Sequence, residues 1–232
     1  MTTNLNTVFS ASVSLLNHDL SLDVGATIEH ALRVEKLGVS SCVLGSTSMS
    51  QFLQISDKKK LIKEILKHKF QNLLIGTGCN SLGDTINLIR YSLDQGYEGA
   101  FLVMNPAYGS PKDLGVYNFF SNIQKAVSSK IVLYNFSKLA AGYAFSPDIV
   151  KKLVNEFGTE AFIGMKDSSG NCWNNLKINN FSMLVGSEIH LLKNLELGGT
   201  GCISATTQTC PSLVRKVFEK KKSKIFCKNV CH

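Results

Sequence analysis

The feature that most constrains this chain is an alternation that runs from end to end. Short, almost wholly apolar runs fall at 8–15, 41–44, 72–76, 100–104, 130–135, 162–166, 182–185 and 201–204, and longer amphipathic segments separate them. A run of four to eight apolar residues without a polar face suits a parallel strand buried on both sides. The segments between carry helix punctuation. Ser81 with Asp84 three residues on predicts an N-cap, with Leu82, Ile86, Ile89 and Leu93 as its apolar stripe and Gly96 as its stop. Val116, Phe120, Ile123 and Val127 repeat the pattern, and Ser146-Pro147 opens a further helix over Ile149, Val150, Leu153, Val154 and Phe157. Pro211 opens a last one, with Leu213, Val214, Val217 and Phe218 on one side.

Eight strands, each followed by a helix through right-handed crossovers, close most economically into a (β/α)8 TIM barrel. A doubly wound open sheet is the alternative, but no GxGxxG turn follows the first strand. The units recur at about 30 residues up to the sixth and then at about 20, within the ordinary size of a crossover unit. No linker divides the chain, so one barrel domain is expected over 1–219, with a basic, frayed tail over 220–232.

Composition excludes several function classes. The 232 residues are 44% hydrophobic and 18% charged, too apolar for disorder, and contain no run long enough to span a membrane. The apolar start lacks a basic region ahead of it, which argues against a signal peptide. Seven cysteines at irregular spacing argue for a reducing, cytoplasmic compartment, with Cys42, Cys79 and Cys202 as small buried hydrophobes. Cys227, Cys231 and His232 lack an evident fourth ligand, so no metal site is expected. The net charge of +8 is spread over helix faces without aromatic interleaving, so no nucleic-acid partner is expected either.

In a barrel, chemistry sits at the C-terminal ends of the strands. Polar residues expected there include Ser46, Thr47, Asn135, Asp167, Ser187 and Glu188. Lys166 stands out, because it ends a strand expected to be buried on both faces. Taking an amine out of water favours its neutral, nucleophilic form. The alternative is a lysine paired with Asp167 or Glu188 at the rim. Tyr134 ends the preceding strand, where its phenol can shuttle protons or simply pack. Gly45-Ser46-Thr47 offers hydroxyls and backbone N–H groups suited to a carboxylate.

These residues, in this order, resemble the dihydrodipicolinate synthase and N-acetylneuraminate lyase family of class I pyruvate aldolases. The stretches that carry the likeness are LGST (44–47), GTGCNS (76–81), Pro106 with Tyr108, YN (134–135), GMKDSSG (164–170), GSE (186–188) and GGTGCISA (198–205). The resemblance implies a lyase without a cofactor, in which Lys166 forms an imine with pyruvate and Tyr134 acts as general acid and base. It further implies that Ser46 and Thr47, beside Gly45, bind the carboxylate and relay protons. Ile203 lines the pyruvate pocket, Gly186, Ser187 and Glu188 contact the substrate, and Tyr108 is lent across a subunit interface of a homodimer or homotetramer.

Departures from the family pattern bear on the substrate. The usual Gly-Glu after the two hydroxyl residues is Ser48-Met49, the Tyr-Asn-x-Pro turn ends in Ser137, and Leu139, with Lys138 beside it, stands where the synthases place an arginine. The resemblance therefore points to aldol cleavage of a 2-keto-3-deoxy sugar acid to pyruvate and an aldehyde, ahead of 4-hydroxy-tetrahydrodipicolinate synthase. The departures also leave open a non-catalytic relative that binds a keto acid. Family members usually continue past the eighth helix into a helical extension, which this chain is expected to lack.

Overall fold

A computed structural model describes residues 3–230, with backbone alone at 222 and 224–230. Eight strands, β1 (Val8–Ala11), β2 (Ser40–Val43), β3 (Leu73–Gly76), β4 (Ala100–Met104), β5 (Lys130–Asn135), β6 (Phe162–Asp167), β7 (Ser182–Val185) and β8 (Gly201–Ser204), close into a barrel in chain order. Every pairing is parallel, including β1 with β8. The helices are α1 (Val24–Lys36), α2 (Ile55–Ile65), α3 (Leu82–Asp94), α4 (Asp113–Ala126), α5 (Pro147–Phe157), α6 (Leu191–Glu196) and α7 (Pro211–Val230). None of the described helices is long and apolar enough to cross a membrane.

The continuous apolar runs resolve into two cores, because successive strand residues point to opposite faces. Phe9, Cys42, Leu74, Leu102, Val132 and Ile203 pack inside the barrel. Ile75, Phe101, Leu133, Phe162 and Met165 face outward and are covered by helix residues such as Phe120 and Leu153. The helices begin where their caps predict. Ser81 accepts from the Asp84 N–H (3.1 Å) and Ser146 from the Ile149 N–H (3.3 Å), with Pro147 in the first turn. Sequence spacing alone had not revealed that Asp23 caps α1 by accepting from Ala26 N–H at 2.9 Å.

Five details differ from the sequence reading. Strand β1 stops at Ala11 rather than residue 15, because its pairing with β2 ends at Ala11↔Cys42 and the chain then turns through a Leu16↔Leu22 bridge. On α3 the fully buried face is Thr85, Leu88, Ile89 and Ser92, with Leu82, Ile86 and Leu93 only flanking the core. The hydroxyls of Thr85 and Ser92 are satisfied by the carbonyls of Ser81 and Leu88, so they tolerate burial. Of the four apolar residues expected on one side of α7, Val214 and Phe218 are buried, while Leu213 is 62% exposed.

The fourth difference is the connection from β6 to β7, which forms no helix. Asn171, Asn174, Asn175, Asn179 and Asn180 crowd this short stretch, and asparagine competes with the helix by bonding locally. A turn closed by the Asn175 and Leu176 N–H groups on the Cys172 carbonyl takes its place. Helix α7 runs past residue 219, where the sequence reading ended the barrel. The side chain of Cys227, and Cys231 with His232, lie outside the described residues. Cys42, Cys79, Cys172, Cys202 and Cys210 are free thiols; Cys42 and Cys202 are fully buried, whereas Cys79 is half-buried.

Candidate active site

Strand register brings the central residues together. Tyr134 on β5 pairs with Lys166 on β6, and Asn135 pairs with Asp167 one step on. Register partners point to the same side, so Tyr134 and Lys166 share the barrel interior at its C-terminal mouth. Both are 4% exposed. The Lys166 Nζ lies over the Tyr134 ring, 4.3 Å from its centre. The Tyr134 hydroxyl in turn meets the Ser46 hydroxyl at 2.9 Å.

Neither acid proposed as an alternative partner engages the lysine. Asp167 Oδ1 accepts from Asn135 Nδ2 (3.0 Å) and from the N–H groups of Ser169 (2.9 Å) and Gly170 (3.2 Å). Its Oδ2 accepts from the N–H groups of Cys172 (2.8 Å) and Trp173 (2.9 Å). This saturation by backbone donors makes the carboxylate the nucleus of the loop that replaces a helix after β6. Glu188 accepts from the Ser204 hydroxyl. Burial pushes the Glu188 carboxyl up, but hydrogen bonds from Ser204, its own N–H and Thr206 outweigh that and hold it below the usual glutamate value. Among the described residues Lys166 forms no ion pair.

The second strand end is shaped by an uncommon backbone. Leu44 stands in the left-handed region (φ 56°), which costs a leucine about 1–3 kcal/mol and turns the following Gly45-Ser46-Thr47 across the barrel mouth. Gly76 is required beside it, since a Cβ there would lie 2.1 Å from the Leu44 carbonyl oxygen. The Ser48-Met49 departure does not open this turn. Ser48 Oγ donates to the Gly45 carbonyl at 2.7 Å, and Met49 takes a left-handed conformation (φ 52°). Likewise Ser137, in place of proline, ties its N–H to Ser169 Oγ at 2.8 Å, joining the loops after β5 and β6.

A cavity of about 340 Å³ opens over Lys166, and Ser46, Thr47, Tyr134, Gly186 and Ser187 line it. A Cβ on Gly186 would lie 1.8 Å from Ser168 Oγ, so glycine lets the loops after β6 and β7 close on each other. Gly45 lines a small adjoining space shared with Ser46 and Tyr134. Ile203 is fully buried among the barrel-interior residues rather than on the cavity wall. Tyr108 is 90% exposed and does not reach this cavity within the chain. Leu139 lines a separate cavity of about 420 Å³ beside α2, and Lys138 is exposed.

Sequence reasoning missed Ser168, Ser169, Trp173 and His190, which also line the Lys166 cavity. The two serines lie in the GMKDSSG stretch and were open to assignment. Trp173 and His190 belong to separate loops, and only folding stacks their rings at 5.6 Å and 27°.

Comparison with known proteins bears on this geometry. The family model described as the dihydrodipicolinate synthetase family matches residues 4–225. The 4-hydroxy-tetrahydrodipicolinate synthase of Methanothrix thermoacetophila is 29% identical over 211 residues, covering 88% of this chain and 70% of that protein. The 2-dehydro-3-deoxy-D-gluconate/2-dehydro-3-deoxy-phosphogluconate aldolase of Picrophilus torridus is 26% identical over 186 residues, covering 78% and 68%. Among solved structures, YagE from E. coli K12, a prophage protein of the dihydrodipicolinic acid synthase family in complex with pyruvate, superposes with a TM-score of 0.84 at 26% identity, over 96% of this chain and 77% of that one. The chain spans between 60% and 70% of the length of the first curated relatives it matches.

Proposed function

The chain belongs to the dihydrodipicolinate synthetase family, and within it we propose a Schiff-base lyase that cleaves a 2-keto-3-deoxy sugar acid to pyruvate and an aldehyde. The observation that carries this reading is the buried Lys166 amine, free of any ion pair among the described residues, 4.3 Å from the centre of the Tyr134 ring. An amine in that setting is suited to condense with a ketone.

In the proposed cycle the Lys166 Nζ adds to the substrate keto carbon. Tyr134, relayed through Ser46, protonates the departing hydroxyl, and water leaves as the imine forms. The protonated imine draws the electron pair of the C3–C4 bond, so that bond breaks, the aldehyde departs, and an enamine remains. Tyr134 and Thr47 are proposed to move the protons for this step and for reprotonation of the enamine. Water then releases pyruvate. The N–H groups and hydroxyls of the Gly45-Ser46-Thr47 turn are suited to hold the carboxylate.

The same proposal covers assembly and location. The barrel domain at 1–219 acts as a homodimer or homotetramer in which Tyr108, 90% exposed here, is covered by a second copy. The free thiols accord with a cytoplasmic location.

A second reading, 4-hydroxy-tetrahydrodipicolinate synthase, is favoured by the Methanothrix relative. It requires a cation for the carboxylate of aspartate semialdehyde, and neither Leu139 nor the exposed Lys138 lines the Lys166 cavity. Incubation with pyruvate and borohydride, read by intact mass, tests both lyases against a non-catalytic relative. An adduct on the wild type that is absent from Lys166→Ala is expected. No adduct on the wild type, or an undiminished one on the variant, removes the mechanism. Turnover of keto-deoxy sugar acids against aspartate semialdehyde then separates the two lyases.

A further inference from the structure

The loops after β6 and β7 build a feature that the proposed imine chemistry leaves unused. Trp173 and His190 stand on the wall of the Lys166 cavity with their rings stacked at 5.6 Å and 27°. Trp173 is held from two sides. Its backbone N–H donates to Asp167 Oδ2 at 2.9 Å, and its side chain packs against buried core residues. The indole is therefore fixed, while the imidazole stacked on it is exposed. Ser168, Ser169 and Ser187 supply hydroxyls to the same wall.

We infer that the Trp173–His190 stack is the subsite for the aldehyde half of the substrate, and that it selects a neutral, hydroxylated carbon chain over one ending in a second carboxylate or a phosphate. The inference rests on the lyase reading above and names the part of the substrate that reading leaves open. An aromatic face presents a flat, apolar surface to the C–H groups of a polyol, while serine hydroxyls and an imidazole exchange hydrogen bonds with its hydroxyls. An anionic terminus needs a different wall. Carboxylates and phosphates are held by arginine or lysine, through charge-assisted bonds about twice as strong as neutral ones. Among the described residues Lys166 is the only lysine on this wall and no arginine joins it, and the Lys166 amine is committed to the imine in the proposed cycle. The wall's one carboxylate, Asp167, already accepts five hydrogen bonds and offers repulsion rather than attraction to a second anion.

The chain contains a single tryptophan, so its intrinsic fluorescence reports this subsite directly. Lys166→Ala protein, unable to form an imine, is titrated with 2-dehydro-3-deoxy-D-gluconate and with its phosphorylated counterpart while indole emission is followed. In parallel, wild-type protein already reduced onto pyruvate with borohydride is titrated with D-glyceraldehyde, which keeps the test open if the variant fails to fold. A saturating emission change with the unphosphorylated ligands is expected. Binding of the phosphorylated acid is expected to be weaker by about tenfold, as is binding of the neutral acid to the Lys166→Ala/His190→Ala protein, each equivalent to one lost hydrogen bond of about 1.4 kcal/mol. A silent indole in protein that still traps pyruvate overturns the subsite and leaves the lyase reading standing. Equal or tighter binding of the phosphorylated acid, or of aspartate semialdehyde, overturns the selectivity. Failure of the wild type to trap pyruvate overturns the lyase reading itself.

Discussion

The Ser46 hydroxyl lies 2.9 Å from the Tyr134 hydroxyl, bridging the turn after β2 to the end of β5 across the barrel mouth. These two residues stand 88 positions apart in the chain. Tyr134 thus offers its ring to Lys166 and its hydroxyl to Ser46 at once.

That double contact separates the effects of two substitutions. Tyr134→Phe keeps the ring beside Lys166 and removes only the hydroxyl, so the imine is expected to form while turnover falls by about 10²–10⁴-fold, the usual share of a general acid–base group. Ser46→Ala leaves the phenol without this partner and is expected to cost less. Steady-state kinetics beside borohydride trapping checks both, and a Tyr134→Phe protein with undiminished turnover removes the phenol from the mechanism.

Asp167→Asn is expected to loosen the loop after β6. The amide turns an acceptor into a donor facing backbone N–H groups, and buried donors left without acceptors cost about 1–3 kcal/mol each. A loss of roughly 2–4 kcal/mol is expected in urea denaturation. Unchanged stability removes Asp167 as the nucleus of that loop.

Glu188 gives an acid-dependent contribution. Its folded-state pKa is held below the ordinary value of 4.5 by hydrogen bonds, chiefly from Ser204, that outweigh its burial. A depressed carboxyl pKa adds stability above the unfolded value, and that stability is lost as the pH falls through the folded value. The melting temperature of the wild type is therefore expected to drop more than that of Glu188→Gln between pH 7 and pH values below 4.5. Parallel curves argue against the contribution.

The thiols are expected to differ in reactivity. Burial pushes Cys42, Cys172 and Cys202 up to about 12, so each stays protonated near neutral pH. Cys79 and Cys210 are half-buried. In native protein an alkylating reagent mapped by mass spectrometry is expected to reach Cys210 and Cys79 well before the other three. Early labelling of Cys42 contradicts this packing.

The strands were legible almost residue by residue, because apolar runs bounded by polar ends leave a parallel strand few alternatives. The seven strands after β1 begin and end within about a residue of their sequence positions. The helix stripes were less legible. On α3 and α7 the side facing the barrel depends on how each helix packs, and hydroxyls satisfied within α3 let Thr85 and Ser92 join its buried face. Lys166, Tyr134 and the Ser46-Thr47 turn were readable because each sits at a strand end, where barrel geometry converges. Trp173 and His190 were not, because a loop's path follows from what anchors it.

By itself, the sequence determined the order and phase of the strands, and with them the side chains that face the barrel interior, since period-two alternation and burial are local properties of each run. Tertiary structure alone decided the partners. It closed β8 onto β1, drew the Asp167 carboxylate onto the loop amides rather than onto Lys166, and stacked His190 on Trp173. These contacts join residues from different strands and loops, and their energies depend on distances that exist only once the barrel has closed.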